Sequence, residues 1–415
     1  MAGNDRTDLL VVAGGVTAAA AGGIEDVIGQ IRRQCPAVAV AHHDLRDVGQ
    51  GVVRRRLRVG AFDETTVLEL AHGCVSCTLR EDVLPLLRSL ARRPDVGTIV
   101  LHLDAALEPE QVCWAVTHVL VDGAAVTDSV NLRGVISVLD AGSWLEDATG
   151  EDEVSERRLA PLPDDDRTMA QLVVGQAEFA DLIVYAGSAE PWQLARTDAV
   201  LARLTPLAPR LRLAELDHRV LLTDLPPDAR RGRCDDPHVA LLRGQPPLHT
   251  EVGVQLMTFT ARRPFHPDRL HRALDALLDG VVRTRGRIWL ATRPSAVLWL
   301  ESAGGGLQLG YAGDWLAGAD AADWRQADPE RSAFAALRWD ERWGDRGQDL
   351  AILVHDAEPG QIDRALRTAL LTDREIAAGE AHWASYPDPF GWWHTDPCGE
   401  ITPQATVDGH KEDTA

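Results

Sequence analysis

Short apolar runs alternate with longer amphipathic stretches over the first half of the chain. Leu9 to Ala13, Val38 to His42, Thr98 to Leu103, Gly134 to Asp140 and Asp181 to Tyr185 each read as a buried strand. Val220 to Leu222 is one further candidate strand. Gln111 to Val121 and Ala170 to Ala180 carry helical spacing, and the run from Val83 through Leu90 opens another amphipathic helix. Strands alternating with helices predict an α/β domain built on a doubly wound, mostly parallel sheet. Glu146 to Asp166 is acidic and contains proline, the composition of a surface loop.

The pattern changes near residue 226. Pro, Arg and Asp dominate Pro226 to Leu248, which predicts an inter-domain linker over 226–248 after a first domain of 1–225. Val254 to Thr260, Ile288 to Ala291, Ala296 to Leu300 and Leu350 to Val354 then read as strands. His266 to Leu278 and Pro359 to Leu371 read as helices. This mixture predicts a smaller α+β domain over 249–400, followed by a polar, disordered tail over 401–415. Nine of the 12 tryptophans lie after residue 280, where packing is their commonest use. Trp392 and Trp393, with His394 beside them in a proline-containing tail, are candidate interface anchors.

Composition narrows the function classes. With 45% hydrophobic and 25% charged residues, 415 positions suffice for two or three ordinary globular cores. A net charge of -21 excludes DNA binding through a bulk electrostatic field. The arginine run Arg54-Arg55-Arg56 and the group Arg283, Arg285, Arg287 and Arg293 are expected on solvated surfaces, with local RNA contact as the alternative. Six cysteines in so long a chain make no disulfide framework. No signal-peptide core precedes the first strand and no apolar run is long enough for a membrane, so a cytoplasmic protein is expected.

Candidate chemistry gathers at His72-Gly73-Cys74-Val75-Ser76-Cys77-Thr78. A C-x-x-C is half a zinc ligand set, a redox pair or simply two buried small residues. Cys77 and Thr78 are expected near a helix N-terminus, where backbone amides favour a thiolate. His42-His43-Asp44 reads as ligands or as a polar strand end. After the first strand, Gly14-Gly15-Val16-Thr17-Ala18-Ala19-Ala20 lacks the lysine of G-x-x-x-x-G-K-[ST], and Thr17 is its only hydroxyl. This is a strand–loop–helix without phosphate chemistry.

Several stretches resemble the CobW family of metal-homeostasis GTPases. The family's cysteine motif is G-C-x-C-C, continued by T-hydrophobic-R-x-D-L. Gly73, Cys74 and Cys77 match its glycine and outer cysteines, Ser76 replaces the middle one, and Thr78, Leu79, Arg80 and Asp82 match the continuation. Ala261 to Pro267, Gly280 to Pro294 and Asp345 to Leu350 are similar to the family's C-terminal domain. The resemblance implies a P-loop-NTPase-like fold whose nucleotide motifs have degenerated. Ala18-Ala19-Ala20 stands in the region of G-K-T-T, and Ala186-Gly187-Ser188-Ala189 in place of the guanine-reading N-K-x-D. Gly14, Gly15, Thr17 and Asp140 would remain of the nucleotide site, with Asp104 and Glu108 at its border. Without the phosphate lysine, weak or absent GTP hydrolysis is expected and GTP itself is doubtful as a cofactor.

Within the family, Ala71 to Cys77, Gly175 to Asp181 and the tail Tyr386 to Cys398 resemble the branch of ribosome hibernation factor-recruiting GTPases. That resemblance implies a zinc-starvation-linked adaptor bringing a hibernation-promoting factor to the small ribosomal subunit. The alternative is a zinc metallochaperone that couples GTP binding or hydrolysis to metal delivery. Both place Zn²⁺ at Cys74 and Cys77, with His72 and the pair His394/Cys398 as further candidate ligands.

Overall fold

The computed structural model describes residues 6–216 and 225–391. Its first domain opens with β1 (Thr7–Gly14), α1 (Ala18–Gln34), β2 (Val38–Asp44), β3 (Val52–Val59) and β4 (Phe62–Glu69). One helical run comes next, made of α2 (Val75–Thr78), a π turn (Leu79–Val83) and α3 (Leu84–Ala91), and leads to β5 (Thr98–His102). Then come α4 (Pro109–His118), the small hairpin β6 (Leu120–Val121) and β7 (Ala124–Ala125), and β8 (Val130–Asp140). The domain is completed by α5 (Trp144–Thr149), α6 (Met169–Glu178), β9 (Leu182–Ala186), α7 (Pro191–Leu204) and β10 (Arg210–Arg212). The sheet order is β10-β9-β8-β1-β5-β2-β3-β4.

The six strands from β10 to β2 run parallel. They are apolar throughout because both faces are covered. Side chains alternate across the sheet, so Leu9, Val11 and Ala13 enter the core beneath α3 and α4, while Leu10 and Val12 meet Ile24, Val27 and Ile28 of α1. The doubly wound expectation holds, with one addition at the edge. β3 and β4 form an antiparallel hairpin on β2. The arginine run expected on a solvated surface is the body of β3, where Arg55 pairs with Asp82 at 2.7 Å and Arg56 with Asp63 at 2.7 Å. Glu146 to Asp166 is also more than a surface loop. It starts within α5, whose Trp144, Leu145 and Ala148 are buried, and it buries Val154 completely.

The second domain holds β11 (Gln255–Ala261), α8 (Pro267–Ala273), β12 (Val281–Ile288), β13 (Ala296–Ala303) and β14 (Gly306–Asp314). α9 (Ala321–Gln326), α10 (Pro329–Leu337), β15 (Gln348–Val354), α11 (Pro359–Ala369), α12 (Asp373–Ala378) and α13 (Glu380–Trp383) complete it. Its strands form one antiparallel sheet ordered β11-β15-β12-β13-β14. Leu270 of α8 with Ile362 and Leu366 of α11 fill one face. The other face lies on the first domain: Leu256, Val282, Ala303 and Leu353 share a core with Leu172, Val173 and Ala177 of α6. The tryptophans are largely packing residues, with Trp289, Trp343 and Trp383 in mutual contact at 5.4 to 6.4 Å between rings.

Residues 226–248, read from composition as a linker, are anchored at several points. Arg230 is buried and paired with Asp235 at 2.8 Å, and the Arg231 amide donates to Asp181 at 2.8 Å. Arg230, Asp235 and Arg243 of this segment line the inter-domain cleft, whereas Pro227, Asp228, Arg233 and Asp236 are exposed. The candidate strand Val220 to Leu222, the 401–415 tail and the residues Trp392, Trp393, His394 and Cys398 lie outside the described residues.

Candidate functional site

β1 delivers the chain to the phosphate-loop region through Gly14, whose φ is +116° and where a Cβ would stand 2.2 Å from the Val138 carbonyl. Three residues, Gly15-Val16-Thr17, then connect to α1. Thr17 is the N-cap: its hydroxyl oxygen accepts from the Ala20 amide at 3.2 Å and donates to Asp140 Oδ2 at 2.9 Å. Asp140 in turn accepts from the Gly142 amide at 3.0 Å. The structure therefore brings Gly14, Gly15, Thr17 and Asp140 together, but joins them to one another. A phosphate cradle needs first-turn amides left open and a cation above them. Here one of those amides is occupied by Thr17, and no lysine lies among the described residues: the sequence holds a single one, Lys411, outside them. After β9, Ala186-Gly187-Ser188-Ala189 supplies no carboxylate to read guanine.

The cavity beside this loop is large, about 620 Å³, and opens at the C-terminal ends of β1, β2 and β5. That end of a parallel sheet is where α/β folds bind ligands. Its wall includes Gly14, Gly15, His42, Asp44, His102 and Asp104, and Arg158 to Pro161 cover it from the segment expected to be a surface loop. His42 and His102 stack with centroids 4.2 Å apart, and His42 Nδ1 meets the His102 carbonyl at 3.1 Å. Burial, the neighbouring His42 and Arg58 push His102 down to about 3, and burial lowers His42 as well, so both rings are neutral at physiological pH. Asp104 accepts from the Leu45 amide at 2.9 Å and the Ala106 amide at 3.0 Å, which makes it a loop brace. Glu108 is ion-paired to Arg167 at 2.9 Å.

The cysteine segment leaves β4 and touches the loop after β2. Gly73 permits this approach, because a Cβ there would be 2.4 Å from the Val48 carbonyl. Cys74 caps the helical run, its Sγ accepting from the Cys77 amide at 3.2 Å and lying 3.3 Å from Ser76 Oγ. Thr78 Oγ1 donates to the Cys74 carbonyl at 3.1 Å. Both cysteines are half-buried and neither is in a disulfide. The helix starts at Val75, earlier than the apolar periodicity suggests, because the cap and not the apolar stripe sets its first turn.

Asp82, in the π turn, ties this helix to the sheet. It meets His43 Nε2 at 2.6 Å and Arg55 Nη1 at 2.7 Å. His43 and Asp44 are thereby assigned as braces: the first holds Asp82, the second Arg46 at 2.5 Å. Among the described residues no three His, Cys, Asp or Glu side chains gather into a metal-holding group. Cys74 and Cys77 share one helical turn, and among the described residues His72 makes no third member of such a group.

Sequence reasoning missed the His42–His102 stack and the cover by Arg158 to Pro161. It also misplaced the arginines of β12. Arg283, Arg285 and Arg287 are buried in ion pairs with Glu178, Glu301 and Asp349 rather than solvated. Their i, i+2 spacing on a strand was the available signal, since it puts all three on one face.

The nucleotide-binding domain of the CobW/HypB/UreG family matches residues 38–196, and the cobalamin synthesis protein cobW C-terminal domain matches residues 254–370. Zinc chaperone Rv0106 of Mycobacterium tuberculosis is 46% identical over 405 residues, 95% of this chain and 96% of that protein. Zinc-regulated GTPase metalloprotein activator 1 of Dictyostelium discoideum is 25% identical over 335 residues, 78% of this chain and 70% of that protein. The crystal structure of Zn(II)-bound YjiA GTPase from E. coli aligns with a TM-score of 0.36 at 13% identity, covering 88% of this chain and 99% of that one. No helix among the described residues is long and apolar enough to cross a membrane. With two domains matched in chain order and a relative 46% identical over nearly its whole length, the chain belongs to the CobW/HypB/UreG family and carries the CobW C-terminal domain.

Proposed function

We propose that this protein handles zinc as a chaperone does, carrying the ion on Cys74 and Cys77, and that it works without turning over GTP. The observation that carries this reading is the presentation of two thiols on one helical turn, with Cys74 Sγ 3.2 Å from the Cys77 amide. Two thiolates fill half of a tetrahedral zinc shell, which leaves room for water or for donors from a recipient protein. Similarity to relatives named zinc chaperones supports the metal, and the capped loop with no lysine supports independence from GTP. The test is competition for Zn²⁺ between the full chain and a chromophoric chelator, run beside a GTP hydrolysis assay. One zinc per chain is expected, abolished in the Cys74→Ser/Cys77→Ser double variant, with hydrolysis at background in both. Zinc affinity unchanged in the double variant would overturn the assignment.

A second reading is an adaptor that brings a hibernation-promoting factor to the small ribosomal subunit when zinc is scarce. One observation favours it: Thr17 and Asp140 close the loop on itself, which leaves the domain as a fixed scaffold. Pull-downs from zinc-starved and zinc-replete cells decide it. Ribosomal subunits with such a factor in the starved sample alone support the adaptor, and no ribosomal protein in either sample retires it.

A further inference from the structure

The first domain's sheet has one open edge. β4 stands last in the strand order and, among the described residues, pairs only with β3, in an unbroken register from Val52 opposite Glu69 to Val59 opposite Phe62. In an antiparallel pair alternate residues turn their N–H and C=O away from the partner, so β4 offers a row of unpaired backbone groups on its outer side. Proteins guard such an edge with proline, lysine, a bulge, a short strand or a covering element. The eight residues of β4, Phe-Asp-Glu-Thr-Thr-Val-Leu-Glu, show none of these devices, and six of the eight are exposed. Acidic side chains are the one guard present. The aromatic and β-branched content suits an extended strand that takes a further neighbour.

The side chains narrow what that neighbour can be. Phe62 and Val67 are 47% and 60% exposed, and the alternation along a strand puts one on each face of the sheet. Two positions beyond each, on the same face, stands a glutamate: Glu64 after Phe62, and Glu69 after Val67. The arginines of β3 are already engaged, Arg54 by Asp47, Arg55 by Asp82, Arg56 by Asp63 and Arg58 by Glu25. Glu64 and Glu69 stand in no ion pair among the described residues. A second copy of this chain, itself carrying a net charge of -21, suits these carboxylates poorly. Pairing β4 with β4 about a two-fold axis keeps each face on its own side of the sheet. Centred on Thr66, that pairing sets Asp63 opposite Glu69; centred on Thr65, it brings the two Glu64 side chains together diagonally. A basic strand meets neither repulsion.

We infer that the β4 edge is a docking site for an extended basic segment of another protein, added as a strand antiparallel to β4. The segment places lysine or arginine opposite Glu69 and Glu64, and apolar side chains opposite Val67 and Phe62. From its N-terminus that order reads basic-x-apolar-x-x-basic-x-apolar. Backbone hydrogen bonds supply affinity, and the four side-chain pairs supply selectivity. This site is separate from the cysteine pair, and its test contains no zinc.

The experiment adds a fluorescein-labelled, end-capped peptide, Lys-Thr-Val-Thr-Thr-Lys-Thr-Val, to the full-length protein and follows its anisotropy, with backbone amide exchange as the second readout. Saturable binding of one peptide per chain is expected, with slower exchange at 62–69. A peptide with glutamate for both lysines should not bind. Nor should one with proline at its fourth and fifth positions, because adjacent N–H groups alternate in direction and one of that pair must donate to β4. Glu64→Lys/Glu69→Lys changes two exposed positions without ion-pair partners, so it keeps the fold and is expected to weaken binding about tenfold. Glu330→Lys, on α10 of the second domain, leaves binding unchanged. The proposal is overturned by absence of saturable binding, by equal binding of the proline peptide, by unchanged exchange at 62–69, or by affinity undiminished in Glu64→Lys/Glu69→Lys. Sedimentation of the protein alone as a dimer that Val67→Glu dissolves would also overturn it, and would give the edge to a second copy.

Discussion

His102 illustrates how one residue couples the cavity to the stability of the fold. An unfolded histidine takes its proton near 6.5, whereas His102 does so only at about 3, because burial, stacked His42 and Arg58 all oppose the charge. Between those values the unfolded chain binds a proton that the fold refuses. Stability is therefore full above about pH 6.5 and falls as the pH drops, by about 1.4 kcal/mol per unit for this residue. His42, lowered in the same direction, adds to the slope. Replacing His102 by Gln removes its share, so wild type should lose about 2 kcal/mol more than the variant between pH 6.5 and pH 5. Urea unfolding at the two pH values measures this. Parallel losses in both proteins would show that His102 is already charged in the fold.

At the scale of elements, legibility depends on the distance between partners. β1 is readable because Leu9 to Ala13 are apolar on both faces, which needs no knowledge of the rest of the chain. β3 is less so: Arg56 is exposed as its charge suggests, but Arg55 looks equally solvated until Asp82 is placed beside it. The cysteine pair is local and was legible; the Asp82–His43 bond that holds its helix spans 39 residues and was not. The loop before α1 lies between these cases. Its missing lysine can be read directly, but the bond from Thr17 to Asp140 spans 123 residues. Thr17→Val deletes both that bond and the cap, with an expected cost of about 1–2 kcal/mol in chemical denaturation. A fluorescent GTP analogue with Mg²⁺ should show no saturable binding to either protein. Tight binding to wild type that Thr17→Val abolishes would mean that the loop opens to receive phosphate after all.

For the whole molecule, the decisive group is Glu178 at the end of α6. It belongs to the first domain and neutralises Arg283 and Arg285 of the second. Burial works against its charge, but the two guanidiniums outweigh that and hold its carboxyl down at about 2. The apolar contacts of α6 with β12 and β13 give the interface area, while this carboxylate makes the area compatible with buried arginines. Glu178→Gln keeps the shape and removes the charge. Arg283 then keeps only Glu301, at 2.8 Å, and Arg285 only the longer contact to Asp235, at 3.5 Å, for an expected loss of about 3 kcal/mol. The loss should fall on the union of the domains rather than on either core, since neither core uses Glu178. Calorimetry of wild type should show one cooperative transition, and of Glu178→Gln two, the second domain melting apart from the first. Asp373→Asn breaks an exposed pair with Arg263 on the outer face and should shift stability by less than about 1 kcal/mol, with the single transition preserved. If Glu178→Gln behaved like Asp373→Asn, the apolar contacts alone would hold the domains together, and the arginines of β12 would have their charge balanced elsewhere.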